Sequence, residues 1–330
     1  LIRWKGYGAE HDMWLDEGHI NVGGVNQPWQ KYERQRQAKE AAQQETATTV
    51  SMSMQEIHQF AAKVKEYQAE KEVVHQMGET GLPVPASWET PRARFRLLVL
   101  FSGTSSVERA VQQYYPEVEI VSVESSEKFT PTHRCTIQDW VRMPGGMSAY
   151  PRGYFDIIWA SPPCKEYSRA KTVGVRALEE ADDNVLHALK VINHLQPRYF
   201  FLENSDGLLA TRDFMQPWQP YLRRCTYCKY GKEFRKSTHI WTNAILPKPL
   251  GYCDSQDACA DKAEFGKHLR VAQSGPSKDD TPGCGGAVQL YPVPTLLVRD
   301  LFEAAVAGLP ESAAYAILCI ASIQKYTGGS

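Results

Sequence analysis

The sequence predicts an α/β protein built on a doubly wound, mostly parallel sheet. Between residues 95 and 203, short apolar segments typical of buried strands alternate with amphipathic stretches of helical periodicity. The predicted strands are Leu97–Phe101, Val118–Glu124, Tyr154–Ala160 and Tyr199–Glu203, and the predicted helices between them are Ser105–Tyr115 and Asp182–Leu195. Strands that are separated by helices pair in parallel and are covered by helices on both faces.

Changes of composition divide the chain into an aromatic start, a polar linker, the sheet, a recognition segment rich in Cys, Gly and Asp, and a helical end. In the linker, Ile57, Phe60 and Val64 recur at helical spacing and predict an amphipathic helix over 53–76. In the last region, helices are predicted at Thr295–Ala307 and Glu311–Tyr326, and they complete the core. The five regions are residues 1–36, 37–92, 93–245, 246–290 and 291–330.

The composition is that of a protein with one large core and a small appended module, since the chain has 330 residues, of which 42% are hydrophobic. No apolar run approaches the ~20 residues that span a bilayer, and eight irregularly spaced cysteines fit a reducing interior better than a disulfide framework. The net charge of −1 argues against a protein that coats nucleic acid, but residues 221–250 carry seven basic side chains and one acid, Glu233. This stretch is either a surface for phosphates or an ordinary solvated face.

The turn after the first predicted strand favours a bound nucleoside cofactor. Phe101–Thr104 (Phe-Ser-Gly-Thr) joins this strand to the next helix through small side chains, which lets a ligand approach backbone amides and a helix N-terminus. The second strand ends at Glu124, about 20 residues later, the offset at which an acid commonly binds ribose hydroxyls. A tight strand–helix turn and a charge at a strand end are the alternative interpretation.

A cysteine and an acid follow the third and fourth predicted strands. In Ser161–Cys164 (Ser-Pro-Pro-Cys), two prolines restrict the backbone, so the thiol of Cys164 is expected at the rim of the sheet, where open α/β folds keep their reactive groups. At the end of the fourth strand, burial of Glu203 favours a protonated carboxyl that can donate to a ring nitrogen. A lone cysteine is more often structural, but these neighbours favour a nucleophile.

Together, these segments resemble the cytosine-5 DNA methyltransferase family, in particular its viral and phage-like branch. Phe101–Thr104 is similar to the family's Phe-x-Gly cofactor motif, Pro162–Ser168 to its Pro-Pro-Cys-x-x-x-Ser loop, and Glu203–Asn204 to its Glu-Asn-Val element. The resemblance covers about residues 95–310. It implies a Rossmann-like methyltransferase fold and S-adenosylmethionine as the cofactor. It also implies that DNA is the partner and that the target cytosine is flipped out of the helix.

The resemblance also implies roles for individual residues. The implied catalytic residues are Cys164, Glu203, Arg235 and Lys236. The implied cofactor-binding residues are Phe101, Ser102, Gly103, Thr104, Ser105, Glu124, Ser125, Thr136, Ile137 and Pro162. The chain departs from the family pattern at several positions. Ser105 stands where a second glycine is usual and narrows the space for the cofactor, Thr136 stands where an aspartate is usual, and Lys236 and Thr238 stand where two arginines are usual.

In the implied reaction, the Cys164 thiolate adds to carbon 6 of cytosine while Glu203 donates to ring nitrogen 3, which makes carbon 5 nucleophilic toward the methyl group of S-adenosylmethionine. Two alternatives remain open: an RNA cytosine-5 methyltransferase, and a decayed enzyme that only binds nucleic acid or chromatin. The sequence lacks the Cys-Phe-Thr-x-x-Tyr signature of the branch that methylates transfer RNA. The substitutions at Ser105, Thr136 and Thr238 favour the decayed module.

Three thiols and an imidazole, from Cys228, Cys253, Cys259 and His268, form a set that can bind structural zinc. Their spacing is loose, and the chain's Cys-x-x-Cys pair, Cys225 with Cys228, does not lie within the set. Unliganded cysteines are therefore the alternative. In this interpretation Cys228 lies on a strand of sequence Tyr-Cys-x-Tyr-Gly.

The first residues resemble a chromodomain of the retroelement type, of which residues 1–36 are a partial copy. In that family, aromatic residues that match Trp4 and Tyr7 help to cage a methylated lysine of a histone tail by cation–π attraction. A third cage aromatic would precede residue 1, so a methylated histone tail is expected as a partner only of a complete chromodomain. A chromodomain joined to a methyltransferase predicts a retrotransposon-encoded, nuclear, chromatin-associated enzyme with no membrane partner.

Overall fold

The computed structural model describes residues 68–69, 71–76, 95–172, 174–273, 281–285 and 287–307. The partial chromodomain with Trp4 and Tyr7, most of the predicted linker helix and the predicted helix Glu311–Tyr326 lie outside the described residues. Among the described residues, no helix is both long and apolar enough to cross a bilayer.

A seven-stranded sheet forms the centre of the described part of the chain. Its strands are β1 (Arg96–Leu100), β2 (Glu119–Glu124), β3 (His133–Arg134), β4 (Ile157–Ala160), β5 (Tyr199–Ser205), β6 (Leu222–Thr226) and β7 (Ser237–Thr242). The spatial order is β3-β2-β1-β4-β5-β7-β6. The first five strands in this order are parallel, and β7 runs antiparallel to both β5 and β6. Because β1 and β4 are central neighbours and the chain winds outward from them, the carboxyl ends of β1, β2, β4 and β5 lie along one edge.

Helices cover both faces of this sheet. They are α1 (Ser106–Tyr114), α2 (Ile137–Arg142), α3 (Leu178–Leu195), α4 (Ala260–Phe265), α5 (Ala287–Leu290) and α6 (Thr295–Ala307). In β1, Leu98 and Leu100 pack into the core with α2 and α3, whereas Leu97 and Val99 pack into the core with α1 and α6. Side chains alternate across a strand, so a strand that is apolar throughout must be buried on both faces. The predicted doubly wound, mostly parallel α/β fold is confirmed.

The ends of the elements differ from the sequence prediction in several places. Helix α6 has the predicted bounds, and β5 continues two residues beyond its predicted end. The prediction that Tyr227–Tyr230 is a strand is wrong: it is a 3-10 helix that ends at Gly231, where φ is 86°. Glycine accepts that conformation without a steric penalty. Elements β3, α2, β6 and β7 were not predicted, because each is short or is interrupted by polar or charged side chains and so lacks a clear apolar period.

The helical residues 71–76, at the end of the predicted linker helix, pack against the sheet domain. Val74 is buried in the core cluster on the α3 side. The indole Nε1 of Trp218 donates a hydrogen bond of 3.0 Å to the carbonyl oxygen of Val74. The linker therefore contributes an apolar side chain and a backbone acceptor to the core.

Candidate active site

A cavity of about 350 Å³ opens at the edge where the parallel strands end. It lies at the position where open α/β sheets bind their ligands. Its lining residues are Val99, Phe101, Ser102, Gly103, Thr104, Ser106, Val107, Glu124, Ser125, Ser161, Pro162, Pro163, Cys164, Lys165, Glu203, Lys236, Tyr291 and Val293. The fold thus brings three of the four predicted catalytic residues together with most of the predicted cofactor-binding residues.

The glycine turn after β1 is tied to the end of β2. The backbone amide of Gly103 donates to Glu124 Oε2 at 2.8 Å, and the amide of Ser126 donates to Oε1 at 2.8 Å. Gly103 has a φ of 52°, which favours glycine. The Glu124 carboxylate therefore fixes both segments that line this side of the cavity.

Ser105 begins α1 in the left-handed region, with φ 53° and ψ 33°. A glycine reaches this conformation without strain, whereas a serine does not. The Ser105 side chain lies 3.4 Å from the Ser102 hydroxyl oxygen, and Ser105 is not among the lining residues of this cavity. The serine that stands here in place of the usual glycine therefore affects the backbone conformation of the turn. The predicted narrowing of the cofactor space stays a prediction.

Sequence reasoning missed Glu108, which lies beneath the glycine turn. Its carboxylate is buried, accepts a hydrogen bond from the Ser102 hydroxyl, and leaves Oε2 without a partner. Burial raises the pKa of Glu108 above its usual value, although the Ser102 hydrogen bond opposes the effect. An acid inside an amphipathic helix is usually assigned to the solvent face, so the sequence carried no signal for it.

A second cavity, of about 430 Å³, adjoins the first and shares Phe101, Glu124, Ser125 and Pro163 with it. The predicted cofactor residues Thr136 and Ile137 line this second space. Thr136 also caps α2, because its Oγ1 accepts from the amide of Asp139 at 3.1 Å. The ten predicted cofactor residues are therefore divided between two adjoining cavities, apart from Ser105.

The loop that carries Cys164 is held from the end of β5. Asn204 Nδ2 donates to the carbonyl oxygen of Pro162 at 3.0 Å. Further along the loop, Ser168 forms an antiparallel bridge with Gly207. A side chain at Gly207 would overlap the Tyr167 carbonyl oxygen, so this close approach requires glycine. The half-buried thiol of Cys164 thus sits on a loop that is anchored on both sides.

Glu203 is 6% exposed and lies in the middle of the mixed sheet, where it pairs with Ile240 of β7. The Tyr227 hydroxyl donates to Glu203 Oε1 at 2.9 Å, and Lys236 Nζ lies 3.6 Å from the same oxygen. The Lys236 ammonium also lies 4.6 Å from the centre of the Tyr227 ring. The sequence analysis did not find Tyr227, because the wrong strand assignment hid which way its ring points.

The charges of the site affect one another. Burial raises the pKa of Cys164, and the positive charge of Lys236 opposes this effect. Burial by itself would lower the pKa of Lys236, but Glu203 and Cys164 outweigh it and raise the pKa. Burial and the Glu203 carboxylate raise the pKa of Tyr227 far above its usual range. The raised pKa of Lys236 favours its charged form beside the thiol and the carboxylate.

Arg235 and Thr238 do not accompany Lys236 into this cavity. Arg235 is exposed; its Nε donates to the carbonyl oxygen of Cys253 at 3.0 Å, and its guanidinium carbon lies 5.3 Å from the centre of the Tyr252 ring. Thr238 is fully buried and donates to the Lys236 carbonyl oxygen at 3.3 Å. Of the basic side chains that were predicted here, the cavity receives Lys236, and the catalytic role of Arg235 stays a prediction.

The predicted zinc ligands converge outside this cavity. One ligand atom from each of Cys228, Cys253, Cys259 and His268 lies within 4.8 Å of all the others. Cys225 packs instead into the large core on the α6 side. The Cys-x-x-Cys pair is therefore divided between two clusters, and the loosely spaced set is the one that assembles.

The strand order, the glycine turn with its acid, and the cavity at the strand ends define a Rossmann-like, doubly wound fold with its ligand site at the carboxyl ends of the parallel strands. Residues 100–228 match the model of the C-5 cytosine-specific DNA methylase family. This part of the chain therefore has the sequence pattern of that family, whose cofactor is S-adenosylmethionine. The match includes Cys164 and Glu203 and ends before Lys236.

A viral relative supports the same family. The chain is 28% identical over 180 residues to a protein of frog virus 3 (isolate Goorha) that is named "Probable DNA (cytosine-5)-methyltransferase". The alignment covers 50% of this chain and 77% of the viral protein. The part that aligns is thus most of the viral protein but only half of this chain.

Two solved structures show limited similarity. A variant of DNMT2 from Spodoptera frugiperda has 16% identity and a TM-score of 0.33, covering 49% of this chain and 56% of its own. The Entamoeba histolytica methyltransferase EhMeth has 12% identity and a TM-score of 0.31, covering 49% of this chain and 58% of its own. This chain therefore spans a little more than half the length of either one.

Proposed function

We propose that this protein methylates carbon 5 of cytosine in DNA, through a covalent bond between Cys164 and the base. The observation that carries the proposal is the single cavity that joins Cys164, Glu203 and Lys236 to the glycine turn and Glu124. A thiol alone or an acid alone has many structural explanations. A thiol, an acid and a cation beside a nucleoside-type site form the set that addition to a pyrimidine requires.

The residues present fit S-adenosylmethionine. The two adjoining cavities, of about 350 and 430 Å³, are large enough for a ligand of that size. Glu124 would bind the ribose hydroxyls, the backbone around Gly103 the methionyl end, and Thr136 and Ile137 the adenine. A Cβ at Gly103 would have only one neighbour within 4 Å, at 3.9 Å, so the turn is open to a ligand. When bound, the cofactor supplies an electrophilic methyl group.

The side chains of this chain account for the activation of the base. The Cys164 thiolate forms a bond to carbon 6, and the displaced π electrons make carbon 5 nucleophilic. In its protonated form Glu203 donates a proton to ring nitrogen 3, and the carboxylate that results is stabilised by Tyr227 and Lys236, which both contact Oε1. After methylation, a base from solvent removes the proton from carbon 5. The double bond re-forms, the thiolate leaves, and Glu203 recovers its proton.

DNA is proposed as the substrate because the matching family and the viral relative are both named as enzymes that act on DNA. The cavity lies at the rim of the sheet, so a cytosine within a duplex has to be flipped out to reach Cys164. Lys165 is exposed next to Cys164 and lines the cavity. It can contact the phosphate that flanks the flipped nucleotide.

Covalent trapping tests the proposal. Fluorine at carbon 5 cannot be removed as a proton, so duplex DNA with 5-fluorocytosine, offered with S-adenosylmethionine, should stay attached to the protein on a denaturing gel. Cys164→Ser should abolish the adduct. Cys284→Ser, the same change at a buried cysteine outside the cavity, should retain it. An absence of adduct with DNA, or an adduct that survives in Cys164→Ser, would overturn the proposal.

Parallel assays separate the alternatives. Transfer RNA that accepts tritiated methyl groups in place of DNA would establish the RNA enzyme. Loss of S-adenosylmethionine binding in calorimetry would establish a decayed binding module. The histone partner, the nuclear location and the retrotransposon origin depend on residues 1–36, and they stay predictions.

A further inference from the structure

We propose that Cys228, Cys253, Cys259 and His268 bind one zinc ion, and that this ion fastens the segment 251–268 to the wall of the active site. Their ligand atoms lie within 4.8 Å of one another, and Cys253 Sγ is 3.5 Å from His268 Nε2. Ligands at the usual zinc distances of about 2.0 to 2.3 Å from a tetrahedral centre lie about 3.3 to 3.8 Å apart. Small rotamer adjustments would therefore complete the site.

The surroundings favour a metal over three packed thiols. The three cysteines are 8%, 0% and 3% exposed and form a cluster of their own, separate from both large cores. The amide of Cys259 donates to Cys253 Sγ at 3.3 Å, a contact that stabilises a thiolate. Zinc with three thiolates and an imidazole carries one negative charge. Lys262 is anchored to the carbonyl oxygen of Asp254 in the same segment and can balance this charge, whereas Lys229, which donates to the Ala258 carbonyl oxygen, is paired with Asp257.

The segment needs a cross-link, because it has almost no core. Between residues 251 and 268, Cys253 and Cys259 are the only buried side chains. Helix α4 buries none of its residues. A segment of this size without an apolar core usually depends on a disulfide or a metal. In the part of the chain that the structure describes, every cysteine is free of a disulfide, and a metal is consistent with all four ligands at once.

The site also has a direct connection to the cavity. Cys228 follows Tyr227, whose hydroxyl donates to Glu203. The carbonyl oxygen of Cys253 accepts a hydrogen bond from Arg235, which precedes Lys236. Zinc would thus hold the turn after β6, which carries Cys228, against the segment 251–268, which contacts Arg235. The inference concerns metal binding and does not depend on the proposed methylation.

Metal analysis of the full chain, purified with a thiol reductant and without chelator, tests the inference. We expect about one zinc per chain. Cys253→Ser and His268→Ala should each lower the content at least threefold, whereas Cys284→Ser, at a buried cysteine outside the cluster, should retain it. Less than half an equivalent in the wild-type protein would overturn the proposal, and so would full zinc content in both ligand variants.

Two measurements on the wild-type protein avoid reliance on variants that fail to fold. Cobalt bound in place of zinc should give the intense visible bands of a tetrahedral thiolate site; a weak octahedral spectrum would contradict the assignment. Removal of the metal by a chelator should increase cleavage by a protease within residues 251–268, with little change in the far-UV circular dichroism of the sheet domain. Unchanged cleavage would refute the fastening role.

Discussion

Gly207→Ala tests whether the loop that carries Cys164 is positioned by the close approach of two backbones. An added Cβ would overlap the carbonyl oxygen of Tyr167 and lie 3.0 Å from its carbonyl carbon. Both contacting groups are backbone, so neither can rotate away. The Ser168–Gly207 bridge and the hydrogen bond of 2.9 Å from the amide of Leu208 to Tyr167 must then lengthen.

The size of the effect follows from this geometry. Non-bonded heavy atoms pack at about 3.5 Å or more, so relief of the overlap requires a shift of about 1 Å. A misplacement of ~1 Å of a reacting group can reduce the rate about 100-fold. Because Cys164 begins the displaced loop, we expect kcat to fall by about that factor. Glu124 and the glycine turn lie on other strands, so the Kd for S-adenosylmethionine should change less than about threefold.

The assay is single-turnover methylation of duplex DNA, with cofactor binding measured by calorimetry. Gly146→Ala is the matched control, because an added Cβ there overlaps the carbonyl oxygen of Trp140 in α2, away from the loop, and saturating S-adenosylmethionine removes any effect on the cofactor residues at the start of α2. Overpacking of this kind costs about 2 kcal/mol, and both variants should melt roughly 5 °C lower. Only Gly207→Ala should lose turnover when folded protein is compared. A folded Gly207→Ala protein with more than a third of the wild-type rate would refute the positioning role.

Three further predictions concern charge and strain. Because Lys236 opposes the effect of burial on Cys164, Lys236→Met should raise the pKa of the thiol and move the ascending limb of the kcat/KM profile, where the thiolate forms, to higher pH. Lys236→Arg should reverse the shift, and an unmoved limb in Lys236→Met would argue against the coupling. Ser105→Gly should raise the free energy of unfolding, measured with urea, by about 0.5 kcal/mol. The left-handed conformation costs serine about 1 to 2 kcal/mol, and the greater flexibility of glycine in the unfolded chain offsets about 0.4 to 1 kcal/mol of that gain. A loss of stability would contradict this. Asp182→Ala should cost about 3 to 5 kcal/mol in the same assay, because the fully buried carboxylate accepts from Arg212 Nε at 3.0 Å. A loss below about 1 kcal/mol would show that the pair is not needed.

Local patterns were sufficient for the parallel half of the sheet. Each strand from β1 to β5, apart from the two-residue β3, is apolar enough to be recognised, and helices separate most of them. Residues at the strand ends then meet at one edge, because parallel strands share their direction. Cys164, Glu203, Glu124 and Gly103 could therefore be placed together in advance. The predicted bounds of these strands differ from the observed bounds by only a few residues.

Short antiparallel and irregular segments escaped the same reasoning. Strand β6 contains Arg223 and Arg224, and Tyr227–Tyr230 turns as a 3-10 helix, so no apolar period marked either one. The error hid Tyr227 as a partner of Glu203. It also left open which basic side chain enters the site.

The sequence alone predicted the fold class, the order of the main elements, and the placement of a thiol and an acid at the same sheet edge. These features depend on periodicity and on strand direction. Only the tertiary structure decided that Lys236 enters the cavity while Arg235 faces Tyr252. The sequence offered Cys228 and His268 as members of one candidate zinc set, and the folded chain determines that their ligand atoms converge. Such contacts join residues that are far apart in the chain, and no local spacing encodes their distances.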